Sequence, residues 1–193
     1  MILHGSNFLM DITPTKWRSF YMNTKLNAIF SRRSIRSYEA KEIPEGILKN
    51  ILKAAMSAPS ACAKDPWDFL VIKDKKMLAD IAAGLPNGTM LVSAALGIVV
   101  CGDIQKAHAN ELSYMLQDCS AAIENILVSA GMLGIGTCWL GVHPREERIV
   151  HIRKLLSIPD NIIPLAVISM GYPAEKKEAR TRYSDAAVHF EKW

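Results

Sequence analysis

Three arginines and a serine fall within one five-residue segment, Arg32-Arg33-Ser34-Ile35-Arg36, directly after the apolar residues Leu26, Ile29 and Phe30. Like charges at this spacing repel, so a folded chain accommodates them best when an anion sits among them. Guanidinium forks onto phosphate with paired hydrogen bonds, and a neighbouring hydroxyl adds a neutral donor. The chemistry open to this segment is therefore phosphate binding. A solvated basic helix end, favoured by the helix dipole, is the competing reading. Ser34 and Ser60 have no nearby His-Asp pattern, which argues against a serine hydrolase. The five histidines are scattered, and none pairs with a Cys or carboxylate at ligand spacing, so no metal site is expected.

Strands and helices in alternation must position that segment. Pro44 suits a first helical turn, and Ile47, Leu48, Ile51, Leu52 and Ala55 make one apolar stripe, which predicts a helix to Met56. The turn formers Ser57 to Ala61 end it. Buried strands are predicted over 69–72, 96–101, 137–140 and 162–170, and helices over 75–83 and 143–156. The longest periodic stretch, 112–133, is apolar on several faces and reads as a central helix covered on most sides. Asp118 and Glu124 on it read as structural caps or interface polar groups. The tail from Gly171 is polar and basic until Val188, Phe190 and Trp193. Strands separated by helices give an α/β or α+β domain, with adjacent strands joined through helices. Residues 1–21 lack periodicity and read as an N-terminal extension, poorly structured or contacting a partner; the folded domain is expected over 22–193.

The chain of 193 residues is long enough for one domain with a real core. Its net charge of +4 would help attract anionic ligands without arguing for nucleic acid. A nucleic-acid binder would interleave aromatics with the arginines, and only Tyr38 is close. The longest apolar stretch, 90–101, is interrupted by Ser93 and Gly97 and is too short to cross a bilayer, so no membrane partner is expected. No signal pattern opens the chain. The four cysteines are widely spaced, and Cys101 and Cys138 sit in apolar runs as buried free thiols, which fits a cytoplasmic protein.

Four segments in order resemble the nitroreductase family, the FMN-dependent NAD(P)H oxidoreductases, over about Asn23 to Trp193. They are Arg32 to Tyr38; Ser57 to Ala61 followed by Pro66-Trp67-Asp68-Phe69; Gln117 to Ala122 leading to Gly134 to Gly141; and Gly171 to Glu175 with the closing His189 to Trp193. The resemblance implies an α+β fold: a three-layer α/β/α sandwich with a mostly antiparallel central sheet, in an intertwined homodimer. It also implies FMN as cofactor, NADH or NADPH as donor, and a nitroaromatic, quinone or similar small-molecule acceptor reduced by a ping-pong mechanism.

The same resemblance assigns roles to residues. Arg32, Ser34 and Arg36 match positions that hold phosphate and ribityl, Arg33 matches a neighbouring position, and one of these arginines reaches the pyrimidine edge of the flavin. Arg182, in preference to Arg180, matches a tail residue near the phosphate. Pro59, Ser60 and Ala61 match the loop that the other subunit lays over the flavin. Thr137, Cys138, Trp139, Leu140 and Gly141 match a strand end whose backbone packs near flavin N5, although Trp139 also reads as a core residue. No side chain is needed as acid, base or nucleophile, because the flavin carries the hydride chemistry. Two positions depart from the family pattern: Ala63 and Asp65 stand where Asn and Gln are common. The stretch Leu85 to Met90 also lacks the usual Lys or Tyr-rich approach. These departures keep open a flavin-sequestering protein with little turnover; a specialised flavin reductase such as a dehalogenase is the other alternative.

Overall fold

Continuous apolar runs, buried on both faces, build the centre of the fold. In a computed structural model that describes residues 26–193, four strands form one sheet: β1 (Trp67–Ile72), β2 (Leu96–Asp103), β3 (Gly136–Gly141) and β4 (Ile162–Gly171). The extension expected over residues 1–21 lies outside the described residues. Strand order is β1-β2-β4-β3, and every pairing is antiparallel. The period of two sends Ile98, Val100, Ala166 and Ile168 into one core layer, and Val99, Cys101 and Val167 into the other.

Five helices cover the two faces: α1 (Asn27–Ser31), α2 (Glu45–Ala55), α3 (Lys75–Ala83), α4 (Leu112–Met132) and α5 (Glu146–Leu156). Ile51 and Ala55 of α2 join Met115, Ala122 and Ile126 of α4 on the first face. Leu78 and Ile81 of α3 join Ile149 and Ile152 of α5 on the second. The result is a three-layer α+β sandwich. Helices α3, α4 and α5 carry the chain from each strand to the next, as the alternation of strands and helices in the sequence implied.

Local chemistry fixes the helix ends. Asp74 caps α3, its Oδ1 accepting the Met77 N–H at 2.7 Å, a contact worth about 1 kcal/mol. Helix α5 starts at Glu146, three residues later than predicted. The Arg145 carbonyl accepts its first bonds from Arg148 and Ile149, and Pro144 lies before the helix. Glu146 and Glu147 then occupy the first turn, where the dipole favours acid. Strand β1 starts at Trp67, earlier than predicted, because Trp67 and Asp68 pair with Gly102 and Cys101. Pairing with Ile162 of β4 carries β2 on to Asp103.

Candidate functional site

The arginine segment is seated along the outer edge of β3. Ser34 bridges to Thr137, the Ile35 N–H donates to the Thr137 carbonyl at 2.9 Å, and the Glu39 N–H donates to the Tyr172 carbonyl at 2.9 Å. Ile35 and Tyr38 point inward and are buried. The Tyr38 hydroxyl donates to the Ile35 carbonyl at 2.7 Å and meets the Ser169 hydroxyl at 2.7 Å. Burial pushes the Tyr38 phenol well above its ordinary range, so it stays a neutral hydrogen-bonding anchor. Arg36, between the two buried anchors, is exposed.

The structure divides the arginines between two recesses. Arg36 lines a cavity of about 480 Å³ together with Asn87, Cys138, Trp139, Leu140, Gly141 and Arg148. Among the described residues, no hydrogen bond or ion pair engages the Arg36 guanidinium; its backbone N–H donates to Glu175 Oε1 at 2.5 Å. Arg32 and Arg33 line a smaller recess of about 160 Å³ with Gly136, Thr137 and Lys177. Arg32 Nε lies 3.5 Å from Glu124 Oε1, and Arg33 Nη1 donates to the Glu178 carbonyl at 2.6 Å. Trp139 is 39% exposed, so it faces outward from β3 and is not part of the core.

The tail is stitched antiparallel to this segment. The Ala174 N–H donates to the Ser37 carbonyl at 2.9 Å, Lys177 Nζ to the Ser34 carbonyl at 2.7 Å, and the Arg180 N–H to the Phe30 carbonyl at 3.3 Å. These bonds bring Lys177 and Arg180 beside Arg32 and Arg33, with exposed Arg182 two residues further on. Glu175 accepts from the Arg36 N–H and pairs with Lys177 at 3.1 Å, and both contacts hold its carboxyl below the usual range. Sequence reasoning missed Lys177, Asn87 and Arg148. Arg148 Nη1 donates to the Gly141 carbonyl at 2.8 Å, a side chain-to-backbone contact with no sequence signature.

The Pro59–Asp65 loop stands elsewhere. It precedes β1, and β1 and β3 are the two outer strands of the sheet. Three strand spacings of about 4.8 Å separate them, roughly 14 Å. One chain therefore does not bring this loop to the arginine segment. Within the loop, Cys62, Ala63 and Asp65 adopt left-handed φ values of 52°, 51° and 48°. The Ser60 hydroxyl donates to Asp65 Oδ1 at 2.5 Å and accepts the Asp65 N–H at 3.0 Å. Asp65 thus turns its carboxylate onto its own loop. Asp118 Oδ1 accepts the Ala61 N–H at 2.9 Å. Among the described residues no cluster of His, Cys, Asp or Glu is placed to hold a metal, and no helix is long and apolar enough to cross a membrane.

Comparison with known proteins matches this arrangement to a class. The model of the nitroreductase family matches residues 29–87 and 83–172, and the chain belongs to that family. A protein of Archaeoglobus fulgidus, provisionally named as an NADH dehydrogenase/NAD(P)H nitroreductase, is 46% identical over 175 residues, which is 89% of this chain and 100% of the relative. The solved structure of an FMN-dependent nitroreductase from Clostridium difficile has a TM-score of 0.80 at 32% identity, covering 87% of this chain and 99% of that one. A provisionally assigned nitroreductase of Desulfovibrio desulfuricans, solved in complex with FMN, has a TM-score of 0.76 at 29% identity, covering 89% and 98%.

Proposed function

We propose that this chain is an FMN-dependent oxidoreductase that takes hydride from NADH or NADPH and reduces a small acceptor such as a nitroaromatic or quinone. The observation that carries it is Arg36, whose guanidinium has no partner among the described residues, facing a cavity of about 480 Å³ walled by Cys138 to Gly141. That size falls within the usual range for a small-molecule site.

The donor set fits FMN. A phosphate dianion wants several cations and donors, and Arg32, Arg33, Ser34, Lys177 and Arg182 supply them on one edge. Arg36 is the cation for the pyrimidine edge, where positive charge stabilises the anionic reduced ring. The backbone of Cys138 to Gly141 packs against the ring. When bound, FMN supplies the hydride chemistry; the chain binds it, orients it and excludes water.

The remaining contacts come from a second subunit. Pro59, Ser60, Ala61 and Ala63 lie near the opposite sheet edge, so a homodimer assembles each site from both chains. Large apolar side chains left exposed support this: Met132 of α4 at 69%, Phe190 at 85% and Trp193 fully exposed. The folded unit spans residues 22–193, with 1–21 as an extension. Support comes from the Archaeoglobus relative, whose whole length corresponds to 89% of this chain. All four cysteines are free, which supports a reducing, cytoplasmic setting.

One observation favours a second reading, a flavin-holding protein with little turnover. Ala63 offers no side-chain donor, and the Ser60 hydroxyl is engaged by Asp65. The test separates the two. Purified protein should be yellow, bleach on anaerobic addition of NADH or NADPH, and recover colour with a quinone. Flavin that stays oxidised under both nucleotides would favour the second reading, and failure to bind FMN would overturn both.

A further inference from the structure

Asp118 plays no part in the cofactor contacts above, yet its environment demands a role. It lies on α4 and is 5% exposed. One oxygen accepts the Ala61 N–H at 2.9 Å, while Oδ2 has no partner among the described residues. A buried carboxylate with a single backbone donor is an unfavourable arrangement, kept only where the surrounding structure needs it.

The loop above it supplies that need. Cys62, Ala63 and Asp65 sit in a backbone region that side chains disfavour. The loop closes on itself through Ser60 and Asp65. Asp118 is the group that ties it to α4, and through α4 to the core. The two acids also differ electrostatically. Asp65 is exposed and screened by solvent, whereas Asp118 is buried and unscreened.

We infer that Asp118 is a positioning residue for the flavin. It holds the Pro59–Asp65 loop from beneath through the Ala61 N–H and sets the negative field that this loop presents to the cofactor. This inference rests on the flavin reading given above. Asp65, the acid that the sequence pattern draws attention to, has neither role toward the flavin.

Two substitutions in the full-length protein separate the parts. Asp118→Asn keeps an acceptor for Ala61 and removes the charge; Asp118→Ala removes both. Three quantities are read: FMN affinity by fluorescence titration, flavin midpoint potential, and the iodoacetamide labelling rate of Cys62, which adjoins Ala61. In Asp118→Ala the Kd for FMN should rise about tenfold or more, because binding must then order a loop that the wild type already holds in place. Cys62 labelling should accelerate while buried Cys101, Cys119 and Cys138 stay protected, showing an intact fold. In Asp118→Asn, labelling and affinity should stay near wild type while the potential rises, because the reduced ring loses an opposing charge. Unchanged affinity and labelling in Asp118→Ala would overturn the positioning role, and an unchanged potential in Asp118→Asn would overturn the field. If Asp118→Ala exposes the three buried thiols, the Asp118→Asn results alone decide, and an accelerated Cys62 there would overturn the assignment. Should the wild type bind no FMN, the flavin reading fails, and the Cys62 rates still decide whether Asp118 holds the loop.

Discussion

Gly136 lies directly beneath Ile35: a side chain begun on Gly136 would meet the Ile35 Cβ and Cγ2 at 2.8 Å. The contact lets the arginine segment bond to Thr137 at the edge of β3 while Ile35 stays buried. Overpacking of this kind costs about 1–3 kcal/mol. Gly136→Ala should therefore lower the melting temperature measurably and, by lifting the segment that carries Arg36, weaken FMN binding. An unaltered melting curve with full affinity would show that the segment yields freely.

Arg36 and Arg32 should differ in kind. Removing either takes away a charge-assisted contact worth roughly 1.5–3 kcal/mol. On the proposed placement of the flavin, Arg32→Ala removes a phosphate contact, so FMN should be weakened and riboflavin spared. Arg36→Ala acts on the ring side, so both ligands should weaken and the midpoint potential should fall. Titration of each variant with FMN and riboflavin checks the split; an identical pattern for both variants would remove the assignment of two recesses to two parts of one cofactor.

The cysteines offer a test of the fold itself. Desolvation pushes the Cys101 and Cys119 thiols up to about 12 and raises Cys138 as well, whereas Cys62 is exposed. The three buried thiols stay protonated and shielded at pH 8, so iodoacetamide should label Cys62 alone. Peptide mapping that finds Cys101 or Cys119 modified in folded protein would contradict the described core.

Glu175 ties the tail to the arginine segment, and its link should be sensitive to acid. The Arg36 N–H and Lys177 hold its carboxyl below the usual range in the folded state. A depressed folded value contributes stability that is fully present above the unfolded value, near 4.3, and is lost as pH falls through the folded value. Chemical denaturation between pH 3 and 7 should therefore show Glu175→Gln losing less stability on acidification than the wild type. Parallel curves would show that the tail contact adds nothing.

Much of this arrangement is legible in the chain because its signals are local. The stripe of Leu48, Ile51 and Ala55 marks α2, and the apolar run of 96–101 marks most of β2. The crowded arginines alone leave an anion site and a solvated basic helix end both open, and the family resemblance is what favours the anion site. Strand order is not legible, since β4 slots between β2 and β3 through pairings far apart in sequence. The tail's course is hidden for a similar reason: its bonds to Phe30 and Ser37 are backbone bonds, to which any residue type is indifferent. Asp65 draws attention by departing from a family pattern, but only geometry shows its carboxylate closed on Ser60. Asp118 reads simply as a polar residue in an apolar helix until its contact with Ala61 is seen.

The separation of the Pro59–Asp65 loop from the arginine segment, near opposite edges of one sheet, carries a genetic consequence. In the proposed homodimer, where each site draws on both chains, two differently inactivated chains are expected to rescue one another. A chain lacking Arg36 keeps a sound loop, and a chain with a ruined loop keeps its arginines. Co-expressed, they would form mixed pairs in which one of the two sites draws only on intact halves. Random pairing then restores activity in roughly a quarter of all sites. Two lesions placed in the same chain would cancel this rescue in a mixture of double-mutant copies, so the pattern of complementation maps which residues share a chain and which meet across the pair.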